Sequence, residues 1–192
     1  MKIALVSDIH ADAAALKRVF DDLPSVDRVL CAGDAISEFQ FCPDTVDLLR
    51  SADVQCIQGN HEHVLFGGQN PGYLAKCRAA YAPELLDLLA LAPTSFELES
   101  AGAKLLMVHA TPWSPFSGYI NPGSPQLPRI AALPFDFVVL GHTHRPMVEK
   151  SGNVTVINPG SCSQPRDGGR EGSYAVLDLE RGEVMLRKVP LG

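Results

Sequence analysis

The sequence predicts a single α/β domain over residues 1–192 with mixed β-sheet content, and two features of its patterning support this class. In the first half, short apolar runs rich in β-forming residues alternate with segments of helical periodicity, in the order βαβαβ. After residue 145 the helical periods stop, and apolar runs separated by glycine-containing turns predict meandering antiparallel strands. A chain of 192 residues, 46% of them hydrophobic, suffices for one substantial core.

Eight apolar runs are predicted strands. Most of them are nearly continuous in apolar residues, which is typical of strands covered on both faces, and the last alternates more. They are KIALVS (2–7), VDRVLCA (26–32), VQCIQ (54–58), KLLMVH (104–109), DFVVL (136–140), VTVIN (154–158), SYAVLDL (173–179) and EVMLRKV (183–189).

Three segments have the periodicity and the start signals of helices. The first opens on Asp12, a capping residue, and the other two open on Pro43 and Pro83, which suit a first helical turn. They are DAAALKRVFDD (12–22), PDTVDLLRSA (43–52) and PELLDLLALAP (83–93). Residues 67–72 and 111–128 are predicted to be irregular.

Charge and cysteine usage exclude several classes. The formal net charge is −6, whereas proteins that bind duplex nucleic acid are usually basic, so no such partner is expected. The N-terminal apolar run ends at Asp8, far short of a signal sequence or a membrane span, so we expect a cytoplasmic protein that binds no membrane. Five cysteines without a CxxC pair suggest neither a disulfide framework nor a zinc ribbon.

Side chains that can bind metals fall at the ends of five predicted strands. In open α/β sheets the loops at the carboxyl ends of strands converge, so these side chains could meet. The candidates are Asp8, His10, Asp34, Asn60, His61, His109, His142 and His144. Taken singly, the aspartates could be turn or capping residues, Asn60 a left-handed turn residue and His109 a core histidine. Their repeated placement favours a common site.

The residue types indicate the chemistry of that site. Carboxylates, one amide oxygen and several imidazoles form a mixed oxygen and nitrogen set that suits manganese, iron, zinc, cobalt or nickel. A carboxylate can bridge two such cations, and metals roughly 3.5 to 4 Å apart can activate a shared hydroxide and neutralise a phosphoryl group. Two divalent cations would make the site locally positive, so it would attract a phosphate ester despite the acidic chain.

The ordered motifs are similar to those of a known superfamily. DxH (8–10), GD (33–34), GNHE (59–62), the strand-terminal His109 and GHTH (141–144) resemble the calcineurin-like metallophosphoesterases. The tail INPGSCSQPRDG (157–168) followed by SYAVLDL resembles the small bacterial and archaeal YfcE-type phosphodiesterases. This resemblance implies a four-layer αββα sandwich of two mixed sheets flanked by helices.

The same resemblance implies roles for the candidates. One metal would be bound by Asp8, His10 and His144 and the other by Asn60, His109 and His142, with Asp34 bridging both. Asn60 and His61 would contact the substrate, and His61 would protonate the leaving group, although a purely orienting role stays open. We expect manganese first, with iron, zinc, nickel or cobalt as alternatives.

The implied activity is hydrolysis of a small-molecule phosphate ester, with a phosphodiester favoured, by in-line attack of a metal-bridging hydroxide. The alternatives are a phosphomonoesterase or nucleotide phosphatase, a nuclease, and a non-catalytic retromer-type scaffold of the same fold. A complete ligand set and the presence of His61 argue against the scaffold. A homo-oligomer is compatible with the sequence.

Other residues near these motifs have open roles. His63 has no matching motif and is predicted to be solvated. Arg166 could bind substrate phosphate, but a salt bridge or a turn role is favoured, so it is not placed in the catalytic set. Trp113, Phe116 and Tyr119 could border the substrate cleft, form a subunit contact or pack over a sheet edge. No reaction is assigned to Cys162.

Overall fold

The computed structural model describes residues 1–191, in which ten strands and six helices are formed. The strands are β1 (Lys2–Val6), β2 (Arg28–Cys31), β3 (Gln55–Cys56), β4 (Ser95–Ser100), β5 (Ala103–Val108), β6 (Phe137–Val139), β7 (Met147–Ser151), β8 (Val154–Asn158), β9 (Glu171–Asp178) and β10 (Glu183–Pro190). The helices are α1 (Ala13–Asp22), α2 (Pro43–Ser51), α3 (Asn60–Phe66), α4 (Pro71–Ala80), α5 (Pro83–Ala90) and α6 (Leu127–Ala131).

The strands form two mixed five-stranded sheets. Sheet I has the order β10-β9-β1-β2-β3, and sheet II has the order β4-β5-β6-β8-β7. Strands β1, β2 and β3 are parallel in sheet I, as are β5, β6 and β8 in sheet II, whereas the other pairings are antiparallel. Each sheet therefore has a parallel triplet whose carboxyl ends lie at one edge.

Successive side chains of a strand point to opposite faces of its sheet, and the apolar ones form three layers. In β5, Leu105 and Met107 pack between the sheets, while Leu106 and Val108 pack on the outer face of sheet II with α6. The outer face of sheet I is covered by α1, α2 and α5. The order helices, sheet, sheet, helix confirms the predicted four-layer αββα sandwich.

The three predicted helices start at the predicted residues. Asp12 caps α1 because its Oδ1 accepts the N–H of Ala15 at 2.9 Å. Helices α2 and α5 begin at Pro43 and Pro83. A proline lacks the backbone N–H, but the first N–H of a helix has no acceptor within the helix, so no hydrogen bond is lost. Within residues 1–191, none of the helices is long and apolar enough to span a bilayer.

Several elements differ from the prediction. Helix α4 begins inside the segment predicted to be irregular, because Asn70 Oδ1 accepts the N–H of Tyr73 and starts the helix. Only Leu74 and Cys77 of α4 are buried. Because so few side chains of this helix face the core, its sequence shows little helical periodicity of apolar residues. Helix α3 and the half-exposed strands β4 and β7 were also not predicted. Helix α6 begins at Leu127, the end of the other irregular segment.

The C-terminal strands are only partly a meander. Strands β7 and β8 form one antiparallel hairpin and β9 and β10 form another, but the hairpins belong to different sheets. Strand β8 is buried along its whole length and pairs in parallel with β6. Its continuous apolar pattern suits this central position.

Removing a side chain from the layer between the sheets should destabilise the fold. Leu105 is fully buried there, so Leu105→Ala should lower the free energy of unfolding by about 2–5 kcal/mol, as measured by urea denaturation. Leu91 is 79% exposed, and Leu91→Ala is the matched control with an expected change of at most about 0.5 kcal/mol. Equal losses for the two variants would contradict this layer assignment.

Candidate metal centre

The loops that follow the two parallel triplets meet at one end of the sandwich. Asp8 follows β1, Asp34 follows β2, and Asn60 opens α3 after β3. His109 follows β5, and the loop after β6 carries His142 and His144. Apart from Asn60, these residues together with His10 and His61 form three overlapping groups, and the ligand atoms within each group lie within 4.8 Å of one another. The groups are Asp8 with His10 and His144, His10 with Asp34 and His61, and Asp34 with His109 and His142.

The first group surrounds one oxygen of Asp8. Asp8 Oδ1 lies 3.3 Å from His144 Nε2 and 4.0 Å from His10 Nε2, and the two Nε2 atoms are 3.1 Å apart. All three residues are buried, and within residues 1–191 Asp8 Oδ1 has no hydrogen-bond partner. Unpaired buried carboxylate oxygens are costly, so this oxygen is oriented for a cation.

The second group surrounds His109. Its Nε2 lies 3.2 Å from Asp34 Oδ2 and 3.0 Å from Asn60 Oδ1. The ring of His142 packs edge-on against that of His109, with centroids 5.1 Å apart. Asp34 Oδ2 also lies 3.8 Å from His61 Nε2, and Asp34 belongs to two of the three groups. Asp34 therefore occupies the position between the two sets of imidazoles.

Hydrogen bonds on the far side orient two of the imidazoles. His109 Nδ1–H donates to the carbonyl of Ala32 at 2.7 Å, and His144 Nδ1–H donates to the carbonyl of Gln164 at the same distance. Both rings therefore present Nε2 to the centre. A carbonyl partner on the second nitrogen is the usual support of a metal-binding histidine.

The second oxygen of each carboxylate is held by the backbone. The N–H of His142 donates to Asp8 Oδ2 at 3.0 Å, and the N–H of His61 donates to Asp34 Oδ1 at 3.0 Å. Each aspartate is thus fixed by a loop from a different part of the chain. Asp8 Oδ1 and Asp34 Oδ2 are left facing the centre.

The ionisation of the centre fits cation binding. Burial lowers the pKa of His10, His142 and His144 to about 4, so all three are neutral near pH 7. Burial opposes charge on His109 as well, but Asp34 and Asp8 raise its pKa to about 10. The proton on its Nε2 then lies between oxygens of Asp34 and Asn60. A divalent cation in place of that proton could be bound by the same nitrogen and oxygen atoms.

The carboxylates respond to the same environment. Burial raises the pKa of Asp8 to about 7, and the charge of Asp34 adds to this effect. Burial also acts to raise the pKa of Asp34, but His109 and His61 outweigh it and hold that pKa well below its usual value. Asp34 is therefore charged. A cation beside Asp8 would stabilise the charged form of its carboxylate, which burial disfavours.

The loops achieve this convergence through left-handed backbone conformations. Five of the candidate residues have positive φ, which costs about 1–2 kcal/mol for a residue other than glycine. They are Asp8 (53°), His10 (50°), Asp34 (53°), His142 (65°) and His144 (57°). At Gly33, with φ of 94°, a Cβ would lie 2.7 Å from Gly59 N and 2.8 Å from His109 Nδ1, so only glycine fits.

Sequence reasoning missed Glu62 as a structural part of the centre. Its buried carboxylate accepts the N–H groups of Asp34 at 2.9 Å, Ile36 at 3.0 Å and Gly59 at 2.8 Å. Burial, followed by the charge of Asp34, raises the pKa of Glu62 to about 7. Glu62 joins the loops after β2 and β3, and its place in the GNHE motif was the available signal.

The loop after β8, which belongs to the tail that resembles YfcE-type enzymes, supports the centre although its sequence did not predict that role. Ser161 Oγ donates to the carbonyl of Asp8 at 2.6 Å, and Ser163 Oγ donates to that of Ile9 at 2.8 Å. Asn158 Nδ2 donates to the carbonyl of Gly141 at 2.7 Å and to Thr143 Oγ1 at 3.0 Å. These bonds hold the two loops that carry the first group of ligand atoms.

His61 lies at the open side of the centre. Its side chain is 23% exposed, and the N–H of Glu38 donates to its Nδ1 at 3.0 Å. Because Nδ1 accepts, the neutral ring carries its proton on Nε2, the atom nearest Asp34 Oδ2. That proton is directed toward the space beside the candidate metal ligands.

The aromatic residues of the 111–128 segment have different positions. Phe116 stacks on His63 with centroids 4.1 Å apart, and His63 is exposed as predicted. Tyr119 stacks on His142 with centroids 4.5 Å apart, so it borders the centre. Trp113 instead packs on the outer layer of sheet II, with the guanidinium of Arg129 4.0 Å from its ring centroid.

Of the two favoured roles of Arg166, a salt bridge or a turn role, the salt bridge is not formed within residues 1–191. Its N–H donates to the carbonyl of His144 at 3.1 Å, and its side chain is exposed. Among residues 1–191 no carboxylate lies within 4.0 Å of its guanidinium, and the adjacent Asp167 pairs instead with Lys188 at 2.7 Å. Cys162 is fully buried, and burial raises the pKa of its thiol to about 12, which is unsuitable for a nucleophile.

Comparisons with known proteins agree with this architecture. Residues 1–182 match the calcineurin-like phosphoesterase superfamily domain. A probable metallophosphoesterase of Methanothermobacter thermautotrophicus is 29% identical over 173 residues, which cover 86% of this chain and 80% of the relative. The phosphodiesterase YfcE of Escherichia coli K12 is 49% identical over 43 residues, which cover 22% of this chain and 23% of YfcE.

Solved structures extend the likeness to the whole fold. The crystal structure of a metallophosphoesterase from Sphaerobacter thermophilus has a TM-score of 0.78 and 25% identity, covering 98% of this chain and 88% of that one. The family match spans nearly the whole described chain and includes every strand that carries a candidate ligand. The chain therefore belongs to the calcineurin-like phosphoesterase superfamily, and YfcE phosphodiesterase is among its relatives.

Proposed function

We propose that the chain is a phosphodiesterase that hydrolyses a small-molecule phosphate ester with two divalent transition-metal ions. The observation that carries this proposal is the oxygen Asp8 Oδ1, which is fully buried, receives no hydrogen bond from the described part of the chain and faces two imidazole nitrogens. A carboxylate in that environment needs a positive charge. In this proposal residues 1–192 act as one catalytic domain in the cytoplasm.

The ligand atoms divide between two cation positions. Asp8, His10 and His144 would hold one cation, and Asp34 would be shared between both. The other cation would be held by Asn60, His109 and His142. When bound, such a pair lowers the pKa of a water nucleophile and neutralises the phosphoryl charge during in-line displacement. The mixed nitrogen and oxygen set suits manganese, iron, zinc, nickel or cobalt, and we propose manganese first.

The chain's own residues supply orientation and a proton. The amide of Asn60 and the ring of His61 lie together at the start of α3, where both can contact a phosphate oxygen. To act as the acid, the ring of His61 would first bind a second proton at Nδ1, in place of the bond from Glu38 N–H and beside Glu38 Oε2 at 3.7 Å. The imidazolium would then give its Nε2 proton to the leaving group and return to the neutral ring. The backbone bonds to Asp8 and Asp34 hold the carboxylates in place through the reaction.

Two other functions fit the same fold. A phosphomonoesterase or nucleotide phosphatase would use the same cations, and the diester preference rests on the name of the relative YfcE. A non-catalytic scaffold of the retromer type would have no need of a complete ligand set. The strained backbone at five candidate ligands argues for the enzyme, because strain is retained where function requires it.

The metal dependence can be tested by reconstitution. Protein stripped of metal should be inactive, and manganese should restore hydrolysis of phosphodiesters more than of monoesters, with iron, zinc, nickel and cobalt compared in parallel. Hydrolysis is measured as phosphate or alcohol release. If about two ions bind per chain but none of the metals supports activity, the scaffold function replaces the enzyme.

The two cation positions can be separated by substitution. His142→Ala and His144→Ala should each reduce the metal content from about two ions to about one per chain, because each removes a ligand from a different group. Metal content is measured by inductively coupled plasma mass spectrometry. His63→Ala is the control, since His63 is exposed outside these groups and should leave the metal content unchanged. Unaltered content in both site variants would contradict the proposed ligands.

The role of His61 can be tested with leaving groups of different acidity. His61→Ala should lower kcat roughly 100-fold or more for alkyl esters, which need a proton, and much less for p-nitrophenyl esters. Its metal content should not change, because His61 is not among the proposed ligands. Equal losses on both classes of ester would leave His61 with an orienting role only.

A further inference from the structure

Strand β10 forms an unpaired edge of sheet I. It has eight residues, whereas the other edge strands in the described chain have two in β3, six in β4 and five in β7. One side of β10 pairs with β9, and within residues 1–191 no strand pairs with the other side. An open strand edge presents backbone N–H and C=O groups that can bond to a further strand. The outer side of β10 is therefore long enough to bind one.

Two adjacent apolar side chains of β10 are exposed. Met185 is 56% exposed and Leu186 is 39% exposed, and they lie on opposite faces of the sheet because successive side chains alternate. On the outer face, Met185 and Val176 line a groove of about 520 Å³ beside Pro24, which follows α1. Edge strands that stay unpaired are usually protected by charges, so exposed apolar side chains at the centre of β10 favour a partner.

The charges of β10 match those of a second copy of the same strand. Glu183 and Arg187 are both exposed, and they lie two residues before and two residues after Met185, on the same face of the sheet. If two such strands pair antiparallel about a two-fold axis at Met185, Glu183 of each copy lies opposite Arg187 of the other. Opposite charges across a strand pair are stabilising, and the symmetry forms this contact twice.

Symmetry and charge restrict the register of such a pair. A two-fold axis perpendicular to the sheet keeps each face on its own side, so the axis must pass at a residue rather than between two. An axis at Leu186 would place Glu183 opposite the buried Val189, where it has no charged partner. An axis at Arg187 would bring two guanidinium groups together, which is destabilising. Charge therefore favours the axis at Met185.

We propose that β10 binds β10 of a second copy of this chain as an antiparallel pair with a two-fold axis at Met185. The two Met185 side chains contact each other on the outer face, and on the other face Val184 of each copy lies opposite Leu186 of the other. The paired segment ends before Pro190, which has no N–H to donate. The two five-stranded sheets I become one sheet of ten strands. None of the proposed metal ligands belongs to β10, so this inference is independent of the proposed function.

The test measures the mass of the whole chain in solution. Sedimentation equilibrium over a range of micromolar concentrations should show a species with twice the mass of one chain. Met185→Lys should raise the dissociation constant of this dimer roughly 100-fold, because two like charges would meet at the axis and an apolar contact would be lost. Leu91→Lys is the matched control and should leave the dissociation constant unchanged, since Leu91 is 79% exposed and lies after α5. Circular dichroism checks that both variants fold.

A pair of charge variants tests the register. In a dimer of Glu183→Arg alone, or of Arg187→Glu alone, both contacts across the axis would join like charges, so each variant should be largely monomeric. An equimolar mixture of the two variants should form a heterodimer, because both contacts again join opposite charges. Arg187 also pairs with Asp22 of its own chain at 3.5 Å. Loss of that pair affects one variant only and would not restore association on mixing.

The possible results decide the proposal in both directions. Dimerisation that is lost in Met185→Lys and recovered in the mixture of charge variants would support it. An unaltered protein that is monomeric at every concentration would overturn it and leave the edge of β10 to a different chain. A dimer that persists in Met185→Lys would place the interface elsewhere. Charge variants that dissociate singly and stay apart when mixed would contradict the register at Met185, and with it the proposal as stated. No result of this series bears on the phosphoesterase function.

Discussion

The burial of two carboxylates between converging loops is the constraint on which the rest of the site depends. Asp8 and Asp34 are almost completely shielded from water, and each has one oxygen fixed by a backbone N–H from a distant loop. Charged groups in such surroundings require opposite charge. Asp34 obtains it from His109, whereas no donor among residues 1–191 reaches Asp8 Oδ1. This imbalance is the feature of the site that suits it to a cation.

The surrounding structure can be understood as the support for those carboxylates. Left-handed backbone at five candidate ligands turns each loop back toward the centre, and the close contact at Gly33 lets two loops pack together. Glu62 and the serines after β8 hold the loops by hydrogen bonds to backbone N–H groups and carbonyls. The strain is tolerated because the two packed sheets fix the ends of every loop.

The fold could be predicted where its signals are local. Continuous apolar runs located β1, β5 and β8, and proline or aspartate located the first turns of α1, α2 and α5. Helix α4 and strands β4 and β7 were missed because they bury few side chains and lack strong periodicity. The assignment of β8 and β9 to different sheets also escaped prediction, since strand pairing depends on contacts between distant segments.

The amino-acid sequence by itself determined the types of the candidate ligands, their positions after the strands and the family they resemble, because residue identity and spacing are local properties. The tertiary structure alone decided which atoms meet. His142 N–H reaches Asp8 across 134 residues, Glu62 joins two loops, and Tyr119 stacks beside the centre. The physical reason is that these contacts arise only when both sheets pack and bring their loops to one end.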